Sequence, residues 1–329
     1  MPIKTISLTI GRRTCVAALT AILLGLASLT QAAAPTPQQQ PGYYAMKLGN
    51  VRVTALLDGF LPLPLSDLSG IDKDLAQDLV RSAYVPQTAE GLQTAFTAYL
   101  IDTGKEQVMI DAGTSQCFGP TLGQVPKQLR AAGYDPAAID HILITHAHPD
   151  HLCGIADASG KPIYPNATVW LADEDAQYWL DPASEKTANA FLKPLFGMAR
   201  RATAGYIAAG RLQRFKVDAR LPAGITLIPT HGHTPGHSSY LVDGGDGQKL
   251  LVWGDIVHYH AVQFEHPDAV YAGDSDSSRA SAQRLQLFSR AVDGHWWIAG
   301  AHLPFPGIGH LNRAGDAFTW VPVEYSPLQ

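Results

Sequence analysis

Three histidines and an aspartate lie within six residues of one short segment, 146–151. In chain order they are His146, His148, Asp150 and His151. Imidazole nitrogens and carboxylate oxygens are the ligands that zinc and similar divalent cations take from proteins. A regular strand would continue in the sheet, but Pro149 is typical of a chain that leaves it. The spacing therefore predicts a turn that wraps its side chains around a metal ion.

Three further candidate ligands lie downstream, each directly after an apolar, β-rich run. They are His233 in THGHTPGH (230–237), Asp255 in WGD (253–255) and His302 in GAH (300–302). Asp111 follows a fourth such run, at 108–110. Active-site loops collect where the ends of neighbouring strands converge at one edge of a sheet. We therefore expect these side chains to meet the 146–151 segment there.

The elements that must position these residues are strands alternating with helices. Strands are predicted at 51–56, 94–101, 106–111, 141–145, 167–171, 224–229, 238–242, 249–253 and 296–299. Helices are predicted within 66–84, over 119–132, and from Asp276 or Ser277 to Phe288. No repeat or long linker divides the chain after residue 43. We therefore predict one α/β domain over 43–329, with sheets covered by helices.

The ordered set of motifs resembles the metallo-β-lactamase-fold hydrolases. The H-x-H-x-D-H signature at 146–151 is followed by Gly-His-Thr at 232–234, Gly-Asp at 254–255 and the late His302. The resemblance implies an αββα sandwich with two divalent metal ions at its edge, zinc being favoured. Within the superfamily, the chain looks most similar to the methyl parathion hydrolase group and its lactonase and arylesterase relatives, over about 41–326. The stretches that carry this similarity include THGHTPGHSSY (230–240), AVQFEHPD (261–268), DSDS (274–277) and AHLPFPGIGHL (301–311).

The resemblance also assigns a role to each motif residue. One metal would bind His146, His148 and His233, the other Asp150, His151 and His302, and Asp255 would bridge the two. Asp111 would lie behind the ligands and orient a ligand histidine. His237, close to the ligand His233, is predicted to support the loop behind the ligands rather than to bind metal. Ala112 stands where the family has a threonine, a mild departure.

The chemistry of such a pair of metals follows from charge. Two divalent ions can hold a bridging hydroxide, and a single bound zinc already lowers the pKa of water to about 7. That hydroxide is a nucleophile at neutral pH, with Asp150 or Asp255 as the candidate to handle the proton. The sequence therefore predicts metal-dependent hydrolysis of an uncharged ester-like substrate: a lactone, an aryl ester or an organophosphate triester.

Five side chains are candidates for the substrate pocket. Phe118, Trp179 and Phe196 match aromatic positions of the methyl parathion hydrolase group and would rim a pocket for an aromatic substrate. His258 and His260 follow the bridging aspartate and would face the same way at strand spacing. Two histidines would make the pocket more polar, which favours a lactone or carboxylic ester over a phosphotriester.

Composition and charge exclude several classes of protein. The 329 residues are 46% hydrophobic and 16% charged, as in an ordinary globular chain. With 24 basic and 29 acidic side chains, the net charge is −5, and −8 once Lys4, Arg12 and Arg13 are removed. Nothing here is an electrostatic footprint for nucleic acid. We therefore expect a small-molecule partner and no nucleic acid.

The first 34 residues are typical of a cleaved export signal. Lys4, Arg12 and Arg13 precede an apolar run at 15–29, and small residues follow up to Ala34. The run is shorter than the roughly 20 residues of a membrane span. We therefore expect no stable anchor after cleavage, a Pro/Gln linker at 35–42, and a periplasmic or secreted protein. The arginine pair leaves Sec and twin-arginine export both open.

The sequence leaves two interpretations open for the cysteine pair and two for one apolar stretch. For Cys117 and Cys153 we favour isolated small hydrophobes, although an oxidising compartment permits a disulfide. The apolar stretch at 61–68 is compatible with a pocket lid or with a homodimer surface.

Several competing functions fit the sequence less well. A true metallo-β-lactamase typically has Cys or Ser where Asp255 stands, and a glyoxalase-II-like thioesterase would need basic residues for glutathione that we do not locate. An RNA-processing nuclease is disfavoured by the export signal and the acidity. An envelope metal-binding protein without catalysis is disfavoured by the complete ligand set.

Overall fold

The computed structural model of the protein describes residues 1–2, 42–188 and 192–327. All but the first two residues of the predicted export signal and all but the last residue of the linker fall in 3–41 and thus lie outside the described residues. The described residues from 42 onward belong to one compact unit. In the part of the chain described here, no helix has both the length and the apolar character needed to cross a bilayer.

Seven strands form the first sheet. In spatial order they are β1 (Tyr43–Leu48), β2 (Val51–Leu63), β4 (Leu92–Asp102), β5 (Gln107–Ile110), β6 (His141–Leu143), β7 (Thr168–Ala172) and β8 (Leu212–Phe215). The pairs from β1 to β5 are antiparallel and those from β5 to β8 are parallel. Parallel neighbours need crossover connections, so long segments leave this sheet at the same edge.

Six strands form the second sheet, and a short ribbon joins two distant loops. The sheet order is β15 (Ala317–Pro322), β14 (Ile308–Ala314), β13 (Trp297–Ala299), β11 (Gln248–Val252), β10 (Ser238–Gly245) and β9 (Thr226–Pro229). The ribbon pairs β3 (Leu68–Ser69) with β12 (Val270–Tyr271).

Helices cover the outer faces of both sheets. Those of the described residues are α1 (Lys73–Ser82), α2 (Val125–Ala131), α3 (Pro149–Leu152), α4 (Asp173–Trp179), α5 (Pro182–Thr187), α6 (Lys193–Ala208), α7 (His260–Gln263) and α8 (Ser277–Asp293). Asp276 caps α8 by accepting a hydrogen bond from the Arg279 backbone N–H, as expected for an N-cap aspartate.

The apolar core occupies three layers. Ile101 of the first sheet and Val252 of the second belong to the cluster between the sheets. Leu129 of α2 and Phe196 of α6 pack in the cluster outside the first sheet, and Phe288 of α8 packs outside the second. The layer order is helix, sheet, sheet, helix, which confirms the predicted αββα sandwich.

Cys117 and Cys153 form a disulfide across 36 residues of sequence. The preference for isolated cysteines was therefore wrong. The fold brings the loop after β5 against the end of α3, with the two Cα atoms 6.4 Å apart, a separation that a disulfide spans. The sequence could not supply this proximity, because it depends on how the two loops pack.

Candidate metal centre

The seven predicted ligands meet at one edge of the sandwich, at or just beyond the ends of strands. His146 and His148 follow β6, and Asp150 and His151 lie in α3. The remaining three lie in the loops after β9, β11 and β13: His233, Asp255 and His302. The turn predicted at Pro149 is a short helix, in which the proline takes the first helical position, where its missing N–H costs nothing.

The first cluster comprises His146, His148, His233 and Asp255, whose ligand atoms all lie within 4.8 Å of one another. His233 Nε2 is 3.0 Å from His148 Nδ1 and 3.2 Å from Asp255 Oδ2. His146 Nε2 lies 3.5 Å from the same carboxylate oxygen. Three imidazoles and one carboxylate are a ligand set that suits zinc.

The second cluster comprises Asp150, His151, His302 and again Asp255. His151 Nε2 lies 3.1 Å from Asp150 Oδ2 and 3.1 Å from Asp255 Oδ1. His302 Nε2 lies 3.1 Å from Asp255 Oδ1 and 3.4 Å from Asp150 Oδ2. Asp255 therefore turns one oxygen toward each cluster, which is the arrangement of a bridging carboxylate.

Three atoms of these clusters are buried and make no hydrogen bond of good geometry, although ionisable neighbours lie 3.1 to 3.5 Å away. They are His146 Nε2, His151 Nε2 and Asp255 Oδ1. Leaving a buried polar atom unpaired costs about 1–3 kcal/mol, so three at one point need an explanation. Each belongs to a ligand set that a divalent cation would complete, and the residues therefore fit metal binding.

Asp111 and His237 lie behind the ligands. Asp111 Oδ2 accepts a hydrogen bond from His151 Nδ1 at 2.8 Å, and its Oδ1 accepts one from the Thr145 backbone N–H at 2.8 Å. His237 Nε2 accepts a hydrogen bond from the Asp255 backbone N–H at 3.0 Å. Both side chains thus fix the orientation of a ligand, as hydrogen-bond partners of metal ligands do.

Two carboxylates of comparable importance have no counterpart in the sequence analysis. Asp274 Oδ1 accepts a hydrogen bond from His233 Nδ1 at 2.8 Å. Asp175 accepts hydrogen bonds from the backbone N–H groups of Ala147 and Gly236, so it links the two histidine loops. Asp274 lies in a stretch shared with the resembling group, which was a usable signal. Asp175 lies in the first turn of α4, where acidic residues are common, so nothing marked it.

Burial and mutual charge set the protonation of the site. Burial lowers the pKa of His148 to about 3. Burial opposes ionisation of Asp150 and Asp255, but the neighbouring histidines hold the pKa of both carboxyls well below the ordinary value. Burial also disfavours charge on His302, yet Asp255 and Asp150 raise its pKa to about 10. The two carboxylates therefore stay ionised at neutral pH, and a cation that binds here replaces the proton that they favour on His302.

A cavity of about 210 Å³ opens onto the two clusters. Its walls away from the ligands include Leu61, Leu63, Phe96, Phe118, Leu195, His258 and Tyr271. His258 Nε2 lies 3.0 Å from Asp255 Oδ2, so this histidine borders both the cavity and the bridging residue. Two leucines of the 61–68 stretch thus line the pocket, and the homodimer surface stays a prediction.

Three of the five predicted pocket residues do not line this cavity. Trp179 and Phe196 are buried together, with ring centroids 4.7 Å apart, in the helical layer outside the first sheet. They belong to α4 and α6, two helices that the sequence analysis did not predict, whose buried faces pack inward. His260 begins α7, so the strand spacing that would align it with His258 does not apply.

Two His/Asp clusters that share a carboxylate, at the edge of an αββα sandwich, define the class of metal-dependent hydrolases with this fold. The chain belongs to the metallo-beta-lactamase superfamily, whose sequence profile matches residues 97–292.

Two solved structures share most of the fold. One is the hydrolase AbOPH of the beta lactamase superfamily, 36% identical, with a TM-score of 0.84 over 88% of this chain and 100% of that one. The other is AidC, a dizinc quorum-quenching lactonase in complex with a product, with a TM-score of 0.78 over 87% of this chain and 99% of that one. AidC is 23% identical, so that likeness concerns the fold alone.

Two curated relatives match a smaller share of the chain. An N-acyl homoserine lactonase of a Bacillus species is 26% identical over 63% of this chain and 80% of its own length. The exodeoxyribonuclease WalJ of Streptococcus pneumoniae is 26% identical over 48% of this chain. The chain spans only 59% of the length of WalJ. A particular closeness to the methyl parathion hydrolases stays a prediction.

Proposed function

We propose that this protein binds two divalent metal ions, zinc being favoured, and hydrolyses an uncharged lactone or a related ester. The observation that carries the proposal is Asp255, which presents one oxygen to each of two ligand clusters at the floor of a cavity. A carboxylate so placed, with buried unpaired atoms on both sides, fits a dinuclear centre better than a single structural ion.

The chain's own residues have separable tasks in this reaction. When bound, two such cations activate a water molecule at neutral pH and polarise the oxygen of the bond to be cleaved. Asp150 and Asp255 stay ionised and are the candidate proton acceptors. Asp111, His237 and Asp274 hold ligand groups in orientation.

The cavity favours a neutral substrate with an apolar part. Leu61, Phe96 and Leu195 give it apolar walls, while His258 and Tyr271 place polar atoms near the clusters. The lactonase among the curated relatives supports a lactone. An organophosphate triester is the second candidate, because the aromatic wall at Phe118 matches the methyl parathion hydrolase pattern.

We also propose that the protein is exported to the periplasm or secreted. The disulfide between Cys117 and Cys153 supports this, since such bonds persist mainly in oxidising compartments. The proposal is tested by fractionating cells that express the full chain and sequencing the mature N-terminus.

A metal assay paired with a substrate panel tests the proposed function. The purified full chain should carry two metal ions per molecule by mass spectrometry and should hydrolyse acyl lactones faster than aryl esters or methyl parathion. The panel should also include a single-stranded DNA, because WalJ is a nuclease. Asp255→Asn should abolish hydrolysis, and Asp316→Asn in an exposed turn should not. A protein with two metals that cleaves none of these esters would instead support a metal-binding role, and one without metal would refute the dinuclear proposal.

A further inference from the structure

One wall of the substrate cavity is a loop that few polar contacts hold in place. Residues 115–121 lie between β5 and α2, and Phe118 is the member that faces the cavity. No hydrogen bond or ion pair joins 115–121 to another segment that the structure describes; Cys117 N–H donates only to the nearby Thr114 carbonyl. The loop is fixed at its two flanks, where the buried Asp58 accepts hydrogen bonds from the backbone N–H groups of Thr114 and Val125.

The disulfide supplies the missing attachment in the middle of the loop. Cys117 immediately precedes Phe118, and its partner Cys153 lies two residues after His151. Because the bond spans the interval between the two flanks, it restricts Phe118 where hydrogen bonds do not.

The far end of the disulfide is firmly anchored. Next to Cys153, the His151 carbonyl accepts a hydrogen bond from Ala112 N–H at 2.9 Å, and Gly154 N–H donates to Gly113 O at 2.7 Å. A Cβ on Gly154 would lie 1.8 Å from the Ala112 carbonyl oxygen, so this backbone contact is tight. The loop is therefore tied to the same segment that carries two predicted ligands.

The disulfide can be reached without passing through the catalytic cavity. A second cavity of about 320 Å³ is lined by both cysteines together with Met198 and Arg201. Cys153 is itself buried and Cys117 is half-buried. A small reductant can therefore approach the disulfide through this second cavity without entering the cavity that opens onto the metal clusters.

We infer that the Cys117–Cys153 disulfide positions Phe118 for substrate binding, so that substrate affinity depends on the oxidised state of this pair. The inference rests on the proposed function and deepens it, because Phe118 would contact the acyl or aryl part of the ester. Cys117 and Cys153 act through Phe118 and are positioning residues. Removing the two cysteines frees the 115–121 loop, which forms this wall of the pocket, and leaves the metal-binding side chains in place.

The reductant must act on sulfur without competing for metal. Tris(2-carboxyethyl)phosphine meets this need better than a dithiol, because thiolates are themselves zinc ligands. One phosphine gives two electrons to the S–S bond and takes an oxygen from water. The two protons of that water end on the two sulfur atoms, which leaves two thiols and one phosphine oxide.

Steady-state kinetics with the best lactone or aryl ester of the panel tests the inference. Cys117→Ala/Cys153→Ala should raise KM about three- to tenfold, the ordering cost of one side chain at a binding surface, with a smaller change in kcat. The phosphine should reproduce this rise in the wild-type enzyme and have no effect on the double variant. In a Phe118→Ala background, removing the cysteines should add nothing. Gln116→Ala, an exposed neighbour, is the matched control and should keep the wild-type KM.

A second measurement keeps the inference testable if no ester is cleaved or the double variant folds poorly. Hydrogen exchange followed by mass spectrometry should show faster exchange at the hydrogen-bonded amides next to the disulfide, those of Thr114, Cys117 and Gly154, in the phosphine-treated wild-type protein, with unchanged metal content. An unchanged KM, unchanged exchange, two free thiols in the untreated protein, or a loss of metal that parallels the loss of activity would each overturn the inference. Failure of the proposed function alone would abolish turnover and leave the exchange result standing.

Discussion

At the scale of single residues, three of the predicted ligand histidines are oriented by partners of the ring nitrogen Nδ1, which faces away from the metal clusters. His151 Nδ1 donates a hydrogen bond to Asp111 Oδ2. His302 Nδ1 lies 3.1 Å from the Ala95 carbonyl oxygen. His233 Nδ1 donates a hydrogen bond to Asp274 Oδ1. The ligand types could be predicted from the motif, because each lies in a short recognisable pattern. Their partners mostly could not, because Ala95 contributes only a backbone carbonyl, which carries no sequence signal.

The contact between Asp274 and His233 gives the first prediction. Asp274→Asn keeps the shape of the side chain but removes the charge that orients the imidazole through Nδ1. We expect metal affinity or kcat/KM to fall about 10- to 100-fold, as for other partners of metal ligands. Competition titration with a zinc indicator measures the affinity.

The control for Asp274→Asn is Asp316→Asn, which makes the same chemical change in the exposed turn between β14 and β15. That variant should bind zinc as the wild type does. Equal zinc affinity in the two variants would contradict the role given to Asp274.

His258 gives a prediction about specificity. Its ring borders the cavity and lies 3.0 Å from Asp255 through Nε2. His258→Leu should make the wall less polar and raise the phosphotriesterase-to-lactonase activity ratio roughly tenfold, within the range that one pocket contact supplies. The ratio of kcat/KM for methyl parathion to that for a lactone is the measurement.

A matched variant distinguishes the cavity from a general effect of histidine loss. His260→Leu removes a histidine two residues away, outside the residues that line the cavity, and should leave the ratio unchanged. A ratio that stays constant in His258→Leu, with metal content intact, would defeat the prediction.

At the scale of elements, strands were predicted better than helices. The run at 51–56 begins at the first residue of β2, and 238–242 begins at the first residue of β10. In contrast, α6 has a buried face that includes two alanines and a threonine as well as aromatics, so its apolar periodicity is weak. The helix predicted over 119–132 is shorter, Val125–Ala131, because Asp58 holds the preceding loop at Thr114 and Val125.

The loop that carries Asp255 gives a prediction about backbone geometry. Gly254 has a φ of +61°, and a Cβ there would lie 2.8 Å from His237 Nε2 and 2.9 Å from Thr145 Cβ. Gly254→Ala should therefore lower the free energy of unfolding by more than the roughly 1–2 kcal/mol of a left-handed alanine, and it should also reduce activity. Urea unfolding and lactone hydrolysis measure the two effects.

Gly104 separates strain from crowding. It has a φ of +76° in a hairpin turn, and a Cβ there would meet nothing within 4 Å. Gly104→Ala should show the conformational cost alone, with full activity. If Gly254→Ala and Gly104→Ala lower the free energy of unfolding equally, the close approach of Gly254 to His237 does not contribute to stability.

At the scale of the whole molecule, the site is assembled from the ends of strands in both sheets. Four ligands follow β6 of the first sheet, namely His146, His148, Asp150 and His151, and the loops after β9, β11 and β13 bring the other three from the second sheet. The order of the motifs predicted which residues meet, but not the walls of the cavity. Leu61 and Phe96 line it from β2 and β4, and apolar residues in strands look alike in sequence whether they face a core or a pocket.

Because both sheets contribute ligands, metal binding should stabilise the fold as a whole. An ion at 100 times its dissociation constant adds about 2.7 kcal/mol to the free energy of unfolding at each site. Removing the metal with a chelator should therefore lower the midpoint of thermal unfolding by roughly 5 °C or more, measured by circular dichroism.

Added zinc should restore the midpoint. Magnesium should not, because it prefers oxygen ligands and five of the seven predicted ligands are histidines. In Asp255→Asn the response to zinc should shrink, since this residue belongs to both clusters. A wild-type midpoint of thermal unfolding that is the same with and without zinc would show that metal binding does not stabilise the packing of the two sheets.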